Sequence, residues 1–449
     1  MKDNSMITDT ELQDSARALH TTADAELDPT GDSKPEQGAH WSSGTAAPWY
    51  QGWDLSDEER SRYRELSRDS HARKRLAMSG EGPAPLHAIN EPRLSPLALM
   101  PQLAPNGLRA LSLFSGGGGM DLGFDRAGFT HVASYDFKEA TGPTLKAARP
   151  DWAVFAGPAG DVTTVDWSAY EGAVDVIHGG PPCQPFSNSG RQRGAEDARD
   201  MVPEFVRAVL EARPRAFLLE NVPSLAGKKF EPYLAETLHG PLKADYLITM
   251  FKRSTDQYGL PQSRKRVFFV GLMREAEAGA YAAPEVTHDS SLLKPKRGKG
   301  RPKQDDLFTG LEATQLPRTP GVREALGLSD IGHDALAPTI RSGLTGPRNS
   351  TSILNGSSSQ ASWAKLEIWP NGVARSRSKA QAFVAKNGHF RLSIQDIAVI
   401  QGFPEDWPLH EAVYKALGQI GNAVAPPVAY HVAKSIALAR EVNISPSEG

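Results

Sequence analysis

Ala110-Leu111-Ser112-Leu113-Phe114-Ser115-Gly116-Gly117-Gly118-Gly119-Met120-Asp121-Leu122-Gly123-Phe124 reads as a strand that runs into a glycine loop and then opens a helix. Glycines let a ligand approach the backbone, and a helix N-terminus presents unpaired N–H groups. Alone the loop is a weak signal, because a tight turn needs the same residues. Its spacing also lacks the third glycine of the dinucleotide fingerprint GxGxxG in every register, which argues against a nicotinamide dehydrogenase.

Outward from this loop, short apolar runs alternate with helical segments from Gly107 onward, the texture of βαβ units in an α/β sheet. Strands are expected near 109–114, 131–135, 174–178, 215–219, 246–252 and 266–271, with an amphipathic helix opening at Pro203. Residues 273–390 are irregular and rich in Gly and Ser, which fits a loop-rich inserted domain. Order returns at Ser393-Ile394-Gln395-Asp396, a cap signal for a short helix stopped by Gly402 and Pro404. A last helix over 426–440 places Val428, Val432 and Ile436 on one apolar stripe facing the core.

The chain has 449 residues, 39% of them apolar, enough for two or three domains, and a net charge of -3. That charge is unevenly spread. Residues 1–60 hold 13 acidic against 4 basic residues, so the remainder is mildly basic. Residues 1–50 have a disordered composition, and Ser56-Asp57-Glu58-Glu59 opens a charged helix to about Leu76. Pro83, Pro85, Pro92, Pro96, Pro101 and Pro105 then punctuate an expected linker. Six cations crowd Lys294 to Lys303, a run that suits phosphate neutralisation and a solvated charge run equally well. A signal-like or membrane-length apolar run is absent from the sequence, so a soluble, intracellular chain is expected.

Cys183 is the only cysteine, which excludes a disulfide framework and a Cys-rich zinc site. It sits in Gly179-Gly180-Pro181-Pro182-Cys183-Gln184-Pro185-Phe186-Ser187, directly after an apolar strand. A stiff loop at a strand end fixes the backbone while leaving the sulfur reachable, as a nucleophile requires. A packing cysteine, the bland alternative, needs no such flanks. Two further stretches end or begin apolar strands with chemistry-bearing residues: Leu218-Leu219-Glu220-Asn221-Val222, and Tyr258-Gly259-Leu260-Pro261-Gln262-Ser263-Arg264-Lys265-Arg266. Glu220 could be an ordinary capping carboxylate, and the arginines could form a phosphate-binding rim.

Taken together these stretches closely resemble the DNA cytosine-5 methyltransferases of bacterial restriction-modification or orphan type, with six to eight motifs in family order over about 109–440. The resemblance implies a Rossmann-like mixed sheet with helices on both faces, the fold of S-adenosylmethionine-dependent methyltransferases, plus a small irregular target-recognition domain. The implied boundaries are an extension over 1–106, a catalytic domain over 107–272 completed by 410–441, and a recognition domain over 273–409.

It implies S-adenosylmethionine as cofactor, held by Phe114, Ser115, Gly116, Gly118 and Gly119 of the loop, with Pro181 beside them. Asp136, 20 residues beyond Gly116, would accept from the ribose hydroxyls, Phe137 would stack on adenine, and Asp161 and Val162 would take its amino group and cover its ring. Asn422, Ala423 and Val424, in Gln419-Ile420-Gly421-Asn422-Ala423-Val424-Ala425-Pro426, would complete the pocket, with Ala425 departing from a commoner proline. Arg391-Leu392-Ser393 with Gln401-Gly402-Phe403-Pro404 would brace the small domain.

For catalysis the resemblance implies that Cys183 adds to carbon 6 of a cytosine flipped out of duplex DNA. Glu220 would donate to ring nitrogen 3, Arg264 would reach the base carbonyl, Arg266 would orient Glu220 or a backbone group, and water or hydroxide would remove the carbon 5 proton. Double-stranded DNA would be met by Ser187, Arg191 and Arg193 on a lid over 187–200, and by Thr339, Ile340, Arg341 and Arg348. The implied enzyme acts as a monomer, without metal or membrane. Two rivals are an RNA cytosine methyltransferase, whose usual Cys-Phe-Thr signature a single-cysteine chain cannot carry, and a catalytically silent DNA-binding relative, expected to have lost Cys183, Glu220 or the glycine loop.

Overall fold

The computed structural model describes Glu58, Ser61, Arg68 and residues 86–183, 186, 199–274, 281–293, 316–341, 352–354, 357–382 and 388–441. All of these belong to one unit, Gly52–Gly449. Of the charged helix expected over 56–76, only Glu58, Ser61 and Arg68 are described, each helical and exposed. The acidic tail over 1–50 and the cation run over 294–303 lie outside the described residues.

Strands β1 (Arg109–Leu113), β2 (Thr130–Asp136), β3 (Val154–Ala156), β4 (Val176–Gly179), β5 (Ala216–Asn221), β6 (Tyr246–Ser254) and β7 (Lys265–Met273) form one sheet in the order β3-β2-β1-β4-β5-β7-β6. Strands β1 to β5 are parallel, and β7 runs antiparallel to both β5 and β6. This is the mixed, mostly parallel sheet of a Rossmann-like α/β fold.

The period of two along each strand explains why the central strands read as unbroken apolar runs. Ala110, Val176, Leu218 and Val270 enter one core, while Leu111, Leu113, Ile177, Phe217, Leu219 and Phe269 enter the core on the opposite face. Each face then needs its own helices.

Helices α1 (Gly119–Arg126), α2 (Thr141–Ala148), α3 (Val202–Ala212), α4 (Ser357–Lys365), α5 (Ile394–Gln401), α6 (Val413–Asn422) and α7 (Pro426–Glu441) follow in chain order. α3 places Phe205, Val206 and Val209 in the second core, and α7 places Val428, Val432 and Ile436 in the first. A Cβ at Gly123 of α1 would lie 2.6 Å from that of Ala429, so the C-terminal helix closes on α1 through a missing side chain. In this way residues 426–441 pack onto the helix that follows β1.

Strand β3 is three residues long and was not anticipated; nor was the parallel pair β8 (Ile368–Ala374) and β9 (Phe390–Ser393). These lie in the stretch read as irregular. Val322, Leu326, Ile340, Ile353, Trp363, Leu366 and Ile368 of that stretch enter the first core, so its described parts share packing with α1 and α7. Ser393 caps α5 as expected, its hydroxyl and backbone N–H both meeting the Asp396 carboxylate.

The proline-punctuated stretch read as a linker is corrected over 86–106. Met100 is fully buried, the Leu103 N–H donates to the Arg126 carbonyl, and the Arg93 and Leu94 N–H groups donate to the Ala325 carbonyl. Prolines preclude a regular ladder but leave carbonyls and apolar side chains able to pack. Among the described residues, no helix is long and apolar enough to cross a membrane.

Candidate active site

The C-terminal ends of parallel strands lie along one sheet edge, where loops can surround a ligand. β1 ends at the glycine loop, β2 at Asp136, β4 at the cysteine loop and β5 at Glu220 and Asn221. Because β7 is antiparallel, its beginning reaches the same edge: Asn221 pairs with Val267, so Arg264 and Arg266 enter beside Glu220.

The glycine loop turns through Phe114, Gly116 and Gly118, all with positive φ, at 58°, 56° and 81°. The Gly116 N–H donates to Asp136 Oδ2 and the Lys138 N–H to Oδ1, each at 2.7 Å, so the carboxylate ties the loop to the end of β2. Burial pushes the Asp136 carboxyl up, and Lys138 with these backbone donors pulls it down. Ser115 is buried, with its hydroxyl 2.7 Å from that of Ser112. A Cβ at Gly116 would meet nothing nearer than the Phe114 carbonyl at 3.9 Å, so the loop leaves room on the side that Gly116 faces. Beside it Phe137 is 51% exposed, an aromatic ring presented to that edge.

At the end of β3 the Thr163 N–H and hydroxyl both donate to Asp161 Oδ1, and Val162 is buried in the second core. From the C-terminal side, Asn422 is exposed at the end of α6, while Ala423 and Val424 are buried against the glycine loop. A methyl group at Gly119 would overlap the Val424 carbonyl, and one at Gly117 would lie 3.0 Å from the Gln419 carbonyl. The Trp407 indole N–H donates to the Gly117 carbonyl, and the Gln419 amide donates to Ala140 and Thr144.

The cysteine loop is held from both sides. The Asn221 amide donates to the carbonyl of buried Pro181, the Ser224 hydroxyl to that of Phe186, and the Phe186 N–H to that of Cys183. A Cβ at Gly180 would come within 2.9 Å of Glu220 Oε2, so this glycine lets the carboxylate approach the loop.

Glu220 is buried and paired with Arg266, whose Nε lies 2.8 Å from Oε1. Burial pushes the Glu220 carboxyl up, with Arg266 and Arg264 opposing. Burial also pushes the Cys183 thiol up; Arg266 favours its thiolate and Glu220 disfavours it. A half-buried thiol, a carboxyl biased toward its neutral form and a guanidinium thus act on one another electrostatically at this sheet edge.

Arg264, expected at the base carbonyl, is 1% exposed and bound to the chain itself. Its Nη1 donates to the Ile340 carbonyl, and its Nη2 to those of Gly421 and Ala423. Only Nε is left without a partner among the described residues. The guanidinium fork suits such a junction, because it carries several fixed donors.

Of the residues expected at DNA, Ser187, Arg191, Arg193 and Arg348 lie outside the described residues, as does most of the lid over 187–200. Thr339 is half-buried with its hydroxyl on the Ser263 carbonyl, Ile340 is buried in the first core, and Arg341 is half-buried. The Thr339–Ile340 pair therefore seats on the arginine loop.

Sequence reading missed the residues that join these parts. Gln262 accepts from the Ile340 N–H and donates to Gln401, which donates in turn to the Ala423 carbonyl. Gln262 and Gln401 stand within quoted motifs, and glutamines beside small and apolar residues were the available signal. Asn221 and Gln419 also stand within those motifs, but Ser224 and Trp407 carried no local signal, and the groups to which all four donate lie 38 or more residues away.

Comparison with known proteins yields a match over residues 108–438 to the family described as C-5 cytosine-specific DNA methylase. The chain is 32% identical over 332 residues to the Type II methyltransferase M.NgoMIV of Neisseria gonorrhoeae, covering 73% of this chain and 96% of that protein. It is 27% identical over 343 residues to M.NgoPII of the same organism, covering 74% and 96%. To the Type II methyltransferase M.NaeI of Lentzea aerocolonigenes it is 28% identical over 331 residues, covering 73% and 74%.

Proposed function

The chain belongs to the C-5 cytosine-specific DNA methylases and is a DNA cytosine-5 methyltransferase; from that premise we propose that it methylates carbon 5 of a cytosine flipped out of a specific duplex sequence, through a covalent adduct of Cys183. The observation that carries this reading is the meeting of the cysteine loop with the Glu220–Arg266 pair at the sheet edge, where Gly180 lies against the Glu220 carboxylate and Asn221 holds the Pro181 carbonyl. A base within the double helix is out of reach of such a site, so it must leave the stack, at a cost of a few kcal/mol.

Cytosine carbon 5 is a weak nucleophile in a neutral aromatic ring. Addition of the Cys183 thiolate to carbon 6 makes carbon 5 enamine-like, and this addition is easier if nitrogen 3 gains a proton. Glu220, biased toward its acid form by burial, donates that proton and recovers it when the adduct collapses. Arg266 holds the Glu220 carboxyl in place and favours the thiolate. Loss of the carbon 5 proton to water or hydroxide lets the sulfur depart, which closes the balance. Arg264 acts as a junction that positions the loop rather than as a base contact.

S-adenosylmethionine would supply the electrophilic methyl group to carbon 5, its S–CH3 bond breaking to release the neutral thioether S-adenosylhomocysteine. The glycine loop, the exposed Phe137 ring and the Asp136 carboxylate fit a nucleoside, with Asp161 and Asn422 as further candidates to hold it. Residues 273–409, through the Thr339 to Arg348 stretch, would choose the target, and Ser187, Arg191 and Arg193 would meet the duplex. The relatives' Type II names favour a modification enzyme of restriction-modification type.

The test is a single-turnover assay with methyl-labelled S-adenosylmethionine and duplex DNA, RNA or no acceptor. Label should enter duplex DNA alone, 5-fluorocytosine DNA should trap a covalent adduct, and Cys183→Ser should lose both. Methylation of DNA by Cys183→Ser at the wild-type rate would overturn the mechanism.

A further inference from the structure

The family match begins at residue 108, yet residues 86–106 are built into the body. One end of this strap lies against the segment proposed for recognition. His87 Nε2 is 2.7 Å from the Gly388 carbonyl, the Gln381 amide donates to the His87 carbonyl, and the His87 ring meets Phe390 edge-on at 5.7 Å. The other end lies on the catalytic sheet: the Asn106 amide donates to the Ala127 carbonyl, and Arg126 Nε donates to that of Met100. Two glycines receive it. A Cβ at Gly327 would overlap the Glu91 carbonyl, and one at Gly128 that of Ala104.

Between the ends, buried Asn90 donates one amide to the Leu326 carbonyl at 3.0 Å and to Asp396 Oδ1 at 2.9 Å. Asp396 is fully buried, caps α5 and pairs with Arg377 Nε at 2.9 Å. At the far end of α5, Gln401 holds Gln262 of the arginine loop and the Ala423 carbonyl of the cofactor side. One helix therefore connects Asn90 to the junction of recognition, catalytic and cofactor segments.

We infer that the strap over 86–106 is a working part of the enzyme, with Asn90 a positioning residue that sets α5, and through it the recognition segment, against the catalytic sheet. A helix fixed at both ends transmits a shift at its cap to its far end, because packed interiors deform little. Asn90 touches neither the cysteine pocket nor the glycine loop, so its loss acts on how DNA is seated before it acts on chemistry. The inference rests on the reading of residues 273–409 as the recognition domain.

The test compares full-length wild type with Asn90→Ala and Asn90→Asp, and with deletions starting at residue 81 and at residue 108, in steady-state methylation of duplex DNA. Wild-type turnover establishes the activity itself, separately from the strap. The residue 81 deletion should match wild type. Asn90→Ala should raise KM for DNA by about tenfold, within the range of residues acting through a packed network. Its kcat and its affinity for S-adenosylmethionine should stay within about twofold of wild type, since no group touching the reacting atoms is changed. Asn90→Asp, which sets a second carboxylate against Asp396, should be at least as impaired.

The residue 108 deletion serves as a second reading: supplied with a peptide spanning 81–107, it should recover DNA affinity. Unchanged KM for DNA in both Asn90 variants would overturn the inference. So would equal changes in kcat and in both substrate affinities that track a lowered melting temperature.

Discussion

Gln262 donates its side-chain amide to the Gln401 side-chain oxygen at 2.7 Å, both residues fully buried and 139 positions apart. Replacing Gln262 with Leu leaves the Ile340 N–H and the Gln401 oxygen unpaired in the interior, which should cost about 2–4 kcal/mol of unfolding free energy. Adding Gln401→Leu removes one of those orphans. The double variant should then be less damaged than the sum of the singles by about 1 kcal/mol or more. Urea unfolding of the four proteins measures this, and strict additivity would mean the two amides do not act as a pair.

Glu220 and Cys183 give opposite limbs to the pH profile. Burial raises both groups. The acid form of Glu220 and the thiolate of Cys183 are the working ones, so the need for the acid gives the fall toward alkaline pH and the need for the thiolate gives the fall toward acid pH. Glu220→Gln should lower kcat about 10²- to 10⁴-fold and erase the alkaline limb. Arg266→Met, which removes the cation favouring both anions, should move both limbs to higher pH. A Glu220→Gln profile with the alkaline fall intact would assign that limb elsewhere.

What the sequence made legible was what is local. Strands buried on both faces announce themselves as apolar runs, as at Val174 to His178 and Ala216 to Leu219, and the glycine loop, the Asp136 strand end and the Ser393 cap each depend on neighbours within about 20 residues. Strand β3 is too short to show a period. In β8, Pro370 and Gly372 interrupt the pattern, and its pairing with β9 shifts register between Trp369 and Ala374. Arg264 illustrates the limit at the site. Its motif spacing put it beside Glu220, but the carbonyls that its guanidinium binds are 76 to 159 residues away. The strap over 86–106 was hidden because prolines report a lack of regular structure, not a lack of packing.

Gly119 reports on the cofactor pocket apart from chemistry. A methyl group there would overlap the Val424 carbonyl, a backbone atom that cannot rotate away. Gly119→Ala should push the segment over 423–424 off the loop and weaken S-adenosylmethionine binding by about tenfold or more, roughly 1.4 kcal/mol. Gly172→Ala is the control, since a Cβ there meets nothing within 4 Å, though its positive φ adds backbone strain. Calorimetric titration with S-adenosylmethionine checks it. Equal binding by Gly119→Ala and wild type would place the cofactor away from this loop.

His178 sets a pH limit on the fold. It is fully buried in β4, stacked on Phe124 at 4.1 Å, with neither ring nitrogen hydrogen-bonded among the described residues. Burial lowers it from 6.5 to about 4, with nearby Asp121 opposing. The unfolded chain therefore binds a proton that the folded chain refuses between those values. Stability from the neutral ring is complete above pH 6.5 and is lost as pH falls toward 4, at up to about 1.4 kcal/mol per pH unit. His431, also lowered to about 4 by burial, adds a second such slope. His178→Phe keeps an aromatic ring against Phe124 and removes the titrating group, so its melting temperature should fall less steeply than that of wild type between pH 6.5 and 4.5. The remaining slope should drop further in the His178→Phe/His431→Phe pair. Parallel melting curves for wild type and His178→Phe across that window would show that the ring is protonated in the folded enzyme.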